Sequence, residues 1–168
     1  MKWSEVGTQV CSLARSLSVV GDPWTLLFLR EAFGGTTKFE DFLSGTGASR
    51  AIVTERLASL VEAGVFERSA YQDAPRRYQY TLTAKGRELL PVVLTLVKWG
   101  DDWLSDGDPP PATLTHSTCG ASEGFALHCS DCGEPLGYAV GVDYRPGVWA
   151  TGRKTTKKRL RPAKSETT

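Results

Sequence analysis

Residues 38–83 read KFEDFLSGTGASRAIVTERLASLVEAGVFERSAYQDAPRRYQYTLT. KFEDFLS has the spacing of a short helix of about two turns, and GTGA after it is a turn. SRAIVTERLASLVEA, residues 49–63, follows as a longer helix. Ser49 can cap its start, and Gly64 stands where a left-handed C-terminal cap belongs. VFERSAYQ and RYQYTLT alternate and are rich in aromatic and β-branched residues. They read as two strands joined by the turn Asp73-Ala74-Pro75-Arg76. Short helix, turn, longer helix and then a hairpin is the winged form of the helix-turn-helix.

The flanks extend this pattern. Upstream, Val10, Leu13, Leu17 and Val20 recur at helical spacing over Thr8–Val20, and Gly21 stops the helix. Asp22-Pro23-Trp24 reads as an N-cap followed by proline at the first helical position. The helix TLLFLREAF after it is apolar nearly all round, so it should be central. Downstream, Thr83 can cap AKGRELLPVVLTLVKWGDDWL, in which Pro91 should start, kink or break a turn. Leu89, Leu90, Val93, Leu94, Leu96, Val97, Trp99, Trp103 and Leu104 cover more than one stripe of it. Core packing uses one stripe, and the remainder predicts a subunit interface. The expected fold is mainly α with a small β-hairpin wing over residues 1–104. A linker at 105–112 (SDGDPPPA), a zinc-ribbon-like β extension at 113–150 and a flexible basic tail at 151–168 complete the expected organisation.

Charge is blocked along the chain. The net charge of +1 hides a balanced 1–104 segment with 12 basic and 12 acidic residues. Residues 105–152 carry one arginine and six acids, and residues 153–168 carry seven basic residues and one acid. A balanced domain still binds DNA if its cations share a face. No apolar run is long enough to span a bilayer and MKWSEVGTQV does not read as a signal peptide, so a cytoplasmic protein is expected.

In a winged helix-turn-helix the start of the second helix enters the major groove. On a helical wheel Val53, Leu57, Leu60 and Val61 face the core. Ser49, Arg50, Ala51, Thr54 and Glu55 are left for the groove. Small residues permit close approach, Arg50 can donate two bonds to a guanine edge, and Thr54 offers a hydroxyl and a methyl. Arg56 lies on the flank and suits a phosphate. Arg76 and Arg77, at the hairpin tip, suit a minor groove or its phosphates. A solvated helix face and a solvated turn are the alternatives.

At this point CSLARSLSVVGDPWTLLFLREAFGGTTKFEDF, with the middle segment through PVV, resembles the HxlR-type family of bacterial winged-helix regulators, relatives of the MarR group. Cys11, Gly21, Trp24, Thr25, Leu29, Arg30, Glu31, Pro91 and the Trp99-Gly100 pair carry the resemblance, over roughly residues 8–104. It implies a homodimer built from the first and last helices, with the helix around 49–63 in the major groove. It also implies oxidant or electrophile sensing at Cys11 in some members. Here Ser12 and Pro23 depart from the family pattern, and a small buried helix residue is the other reading of Cys11. An effector pocket, if present, should lie near Trp24, Phe28, Trp99 and Trp103, which otherwise read as core.

His116-x-x-Cys119 and Cys129-x-x-Cys132 form two pairs, each followed at once by glycine. Such pairs hold Zn²⁺ with three thiolates and one imidazole, and a segment this short gains its stability from a metal. His128 is the alternative nitrogen ligand. The Cys-x-x-Cys-Gly-Glu-Pro run also resembles the extension of some HxlR-type proteins. A ribbon that has lost its metal, or a Cys129–Cys132 redox pair, are the other readings. Arg153, Lys154, Lys157, Lys158, Arg159, Arg161 and Lys164 would add salt-sensitive phosphate affinity, if they are not simply solvated.

The sum is a sequence-specific, DNA-binding transcriptional regulator and not an enzyme. Repression from a palindromic operator as a homodimer is expected, with a small-molecule or redox signal. A four-ligand zinc site has no open position for water, and no nucleophile–base set or phosphate loop is visible, which sets a zinc or thiol oxidoreductase behind. A protein-interaction adaptor without DNA binding is the remaining alternative.

Overall fold

The decisive stretch folds as helix, turn, helix and two-stranded hairpin in a computed structural model that describes residues 3–8, 10–116, 118–120 and 126–135. Two units are distinguished, Met1–Leu104 and Ser105–Thr168. The first contains a 3₁₀ segment Trp3–Thr8, α1 (Ser12–Val20), α2 (Thr25–Phe33), α3 (Phe39–Thr46) and α4 (Arg50–Glu62). It continues through β1 (Phe66–Asp73), β2 (Arg76–Leu82), α5 (Ala84–Arg87) and α6 (Leu90–Trp103). The expected mainly helical fold with a hairpin wing is the fold observed.

The core is aromatic at its centre. Phe28 of α2 stacks on Phe42 of α3 at 5.6 Å between centroids, and Phe42 meets Phe66 of β1 edge-on at 5.9 Å. These three side chains are wholly buried, as are Leu29, Val53, Leu57, Leu60 and Val65. One phenyl ring therefore joins the central helix, the first helix of the helix-turn-helix and the root of the hairpin. Gly47 closes α3 with φ +68° and Gly64 follows α4 with φ +69°, a left-handed conformation that glycine adopts without a Cβ penalty.

β1 and β2 pair antiparallel from Phe66↔Leu82 to Asp73↔Arg76, with a register shift between Ala70 and Gln72 that bulges the strand at Tyr71. The two-residue turn contains a cis Ala74–Pro75 bond. The other edge of β2 is tied to the start of α3. Lys38 bridges to Gln79, and the Tyr80 N–H donates to the Thr37 carbonyl at 2.8 Å.

Three element boundaries differ from the sequence reading. The first helix does not run through Thr8–Val20: Cys11 is extended, with φ −137° and ψ 118°, and separates the 3₁₀ segment from α1. Asp22-Pro23-Trp24 forms a turn instead of the first turn of α2. Asp22 accepts from the Trp24 N–H at 2.9 Å, and the helix begins at Thr25. The last helix is two helices, because Pro91 lacks an N–H and is tolerated in the first turn of α6, which starts at Leu90.

In the second unit the described residues include two tight turns. The Gly120 N–H donates to the His116 carbonyl at 2.8 Å and the Gly133 N–H to the Cys129 carbonyl at 2.9 Å. Gly120 and Gly133 have φ of +73° and +74°. His128 and Pro135 form one antiparallel bridge. The expected continuation of the ribbon over 136–150 and the basic tail at 151–168 lie outside the described residues. Among the described residues no helix is long and apolar enough to cross a membrane.

Candidate nucleic-acid interface

The Ser49 hydroxyl accepts the Ile52 N–H at 3.3 Å and caps α4. Val53, Leu57 and Leu60 anchor the helix in the core, which leaves Ser49, Arg50, Ala51, Thr54 and Glu55 exposed. Thr54 donates its hydroxyl to the Arg50 carbonyl at 2.8 Å, so its methyl is the group not already engaged. A thymine methyl is the complementary base feature.

Arg50 is held from α3. Its Nη1 and Nη2 donate to the two carboxylate oxygens of Glu40 at 2.8 and 3.1 Å, and its guanidinium lies 5.5 Å from the Phe39 ring centroid. The hydrogen bond from Arg50 lowers the Glu40 carboxyl from its ordinary value, against an opposing effect of desolvation, and the charges of Arg50 and, least, Arg77 add to it. The same bond raises Arg50 above its ordinary value. Start of α4, start of α3 and wing tip are thus electrostatically joined.

Arg56, expected to suit a phosphate, is paired within the chain. It is half-buried, bonded to Asp22 at 3.3 Å and to Glu55. It therefore ties α4 to the turn before α2, and its charge is already neutralised.

Arg76 and Arg77 are exposed at the wing. The Arg76 guanidinium lies 5.6 Å from the Tyr78 ring, and Arg68 stacks on that ring at 3.4 Å. Lys38 sits 5.6 Å from the Tyr71 ring. Aromatic rings thus hold three cations at the hairpin and its edge. Sequence reasoning passed over Glu40, Lys38 and Arg68. The available signals were an acid in the first turn of the helix before the base-reading one, and a basic residue paired across the strands with a tyrosine.

The remaining candidates are scattered. Phe28 is sealed in the core and Trp24 packs half-buried against it, whereas Trp99 and Trp103 are exposed on α6. Cys11 is half-buried ahead of α1. His116 Nδ1 lies 3.1 Å from Cys119 Sγ. The Cys129 thiol is pulled below its ordinary range, first by the backbone N–H of Cys132 and then by that of Asp131, which favours the thiolate that ligates metals. His128, the alternative ligand, instead shares a 2.9 Å hydrogen bond between its Nδ1 and the Gly133 carbonyl. Each predicted ligand pair is therefore preformed. Among the described residues, however, no group of three or more potential ligands is gathered where one ion could be held.

Residues 19–108 match the model of the HxlR-like helix-turn-helix family. An uncharacterized HTH-type transcriptional regulator of Mycobacterium tuberculosis is 42% identical over 136 residues, which cover 81% of this chain and 85% of the relative. The crystal structure of PA1607, a transcription-factor candidate, is similar with a TM-score of 0.67 and 34% identity, covering 75% of this chain and 88% of that one. The redox regulator HypR in its reduced form is similar with a TM-score of 0.52 and 27% identity, covering 55% and 92%.

Proposed function

This chain belongs to the HxlR-like helix-turn-helix family and is a DNA-binding transcriptional regulator; from that premise we propose that it represses from a palindromic operator as a homodimer. The observation that carries this reading is the exposed start of α4 beside an arginine-bearing wing. Ser49, Arg50, Ala51, Thr54 and Glu55 address the major groove, and Arg76 and Arg77, assisted by Arg68, address the adjacent minor groove or its phosphates. Arg56 is the least exposed of these arginines and is paired with Asp22 and Glu55, so a phosphate contact there requires those pairs to give way. Repression needs the least additional machinery, since a dimer seated on the operator excludes polymerase by occupancy alone.

The homodimer reading rests on α6. Leu90, Val92, Leu96, Trp99 and Trp103 are exposed on it, together with Leu104 just beyond its end. Val10 and Leu13 are exposed at the start of the chain. A second copy applied to these residues buries apolar area that a single chain leaves in water, and a two-fold pair reads a two-fold site. The signal is a redox agent acting at Cys11 or a small molecule near Trp24 and α6. HypR, a redox regulator of the same fold, supports the former.

Selection from a random duplex pool with purified protein is expected to return a palindromic consensus, and a pool without enrichment rejects the reading. Arg50→Ala and Arg76→Ala should each cost about tenfold in affinity for the selected duplex at fixed salt, the size of one good base or groove contact.

Zinc in the extension belongs to the same proposal. His116, Cys119, Cys129 and Cys132 offer a structural donor set, and the two glycine-ended turns supply the chelating geometry in halves. Bound zinc would draw the halves together. Native mass spectrometry of the reduced protein is expected to show one zinc per chain, and a metal-free mass in unchelated protein rejects it.

A further inference from the structure

On the reading in which Arg50 addresses a base, we propose that Glu40 is a specificity-determining positioning residue, gripping one edge of the Arg50 guanidinium so that the other edge meets the base. An arginine carries five N–H donors on three nitrogens. Glu40 takes one hydrogen of Nη1 and one of Nη2, at 2.8 and 3.1 Å. That contact occupies the end of the fork. The side edge, made by Nε–H and the second Nη2 hydrogen, is left as a parallel pair of donors. Such a pair matches the O6 and N7 acceptors of guanine in the major groove.

Three features make Glu40 a fitting anchor. It sits in the first turn of α3, where a carboxylate is favoured by the helix dipole. Its neighbour Phe39 lays a ring 5.5 Å from the same guanidinium and limits its swing. The Arg50 hydrogen bond is the main cause that lowers the Glu40 carboxyl from its ordinary value, with the charge of the wing residue Arg77 a minor addition. Both partners are 65% exposed in their side chains, and an exposed pair of this kind contributes little to folding. What it does contribute is orientation. A long side chain that would otherwise sample many rotamers is presented to DNA in one, so less ordering remains to be done on binding.

The test is a double-mutant cycle with Glu40→Ala and Arg50→Ala in the full chain. Affinities are measured at fixed salt on the duplex the wild type selects and on duplexes with single base-pair changes. Glu40→Ala should weaken binding to the selected duplex about fivefold to tenfold, within the range of one bidentate contact. It should erase preference at the same base pair as Arg50→Ala, cost nothing further in the Arg50→Ala background, and leave thermal unfolding unchanged. Additive losses would overturn the proposal, as would tighter binding to every duplex, which would make Glu40 a mask and not a guide. If the wild type enriches no duplex, base reading by this chain fails first; a wild-type consensus with additive variants removes the role of Glu40 alone.

Discussion

Leu96→Asp is expected to convert the proposed homodimer into monomers and to weaken binding to the selected duplex by about a hundredfold or more. Leu96 is 46% exposed in the single chain, and its neighbours along α6, Trp99 and Trp103, are 53% and 74% exposed. The helix is fastened to its own domain elsewhere, through buried Val93 and half-buried Leu89 and Val97. A carboxylate at 96 thus stays hydrated in the monomer and is dehydrated only when a second copy docks. The loss on DNA exceeds any single contact because the second half-site is then bound from bulk solution instead of at a high effective concentration. Sedimentation at micromolar protein checks the assembly and fluorescence anisotropy checks the affinity. Unchanged thermal unfolding of the monomer shows that the core is intact. A variant that remains dimeric would move the interface away from α6.

Gly86→Ala should cost about 3 kcal/mol, read as a fall of roughly 10 °C in the thermal midpoint. Alanine ordinarily improves a helix by about 1 kcal/mol over glycine, so a loss runs against local propensity. Packing supplies the reason. A Cβ at Gly86 would fall on the Val65 carbonyl oxygen, well inside contact distance, and 3.0 Å from Leu82 Cδ2. That carbonyl is already held by the Thr83 N–H at 3.1 Å, and the Thr83 hydroxyl donates to the neighbouring Gly64 carbonyl at 2.7 Å. Lys85 fastens the adjoining Ala63 carbonyl at 2.6 Å. The clash is with backbone in a knot where α4, β2 and α5 converge, so no rotamer change relieves it. Circular dichroism of the full chain gives the answer, and an unchanged midpoint would show that α5 can shift.

The hairpin, α2 and α4 were legible because their spacing is regular and their ends carry specific residues. Ser49 caps α4 as expected, Thr83 caps only the short α5 where one long helix was expected, and Gly64 has the positive φ its position implied. Boundaries failed where periodicity crosses a break that only tertiary packing decides, as at Cys11 and at the turn accepting the Trp24 N–H on Asp22. The exposure of the candidate residues on α4 and the wing was legible in the sequence. Their pairing was not. Arg50 chooses Glu40 and Arg56 chooses Asp22 because the fold brings those acids near, and nothing in the intervening spacing encodes it.

The wing has a further consequence. Of β1 only Phe66 is fully buried, and the strand runs outward from there through exposed residues to the turn. The tether to α3 grips Gln79 and Tyr80, towards the base, while residues 73–77 project beyond it. The hairpin is a cantilever, with its buried contacts at the root and two exposed arginines at its free end. Tip and root can accordingly diverge at different tempos. Substitutions, insertions and deletions at the tip are expected to spare the fold, whereas changes at the root are not.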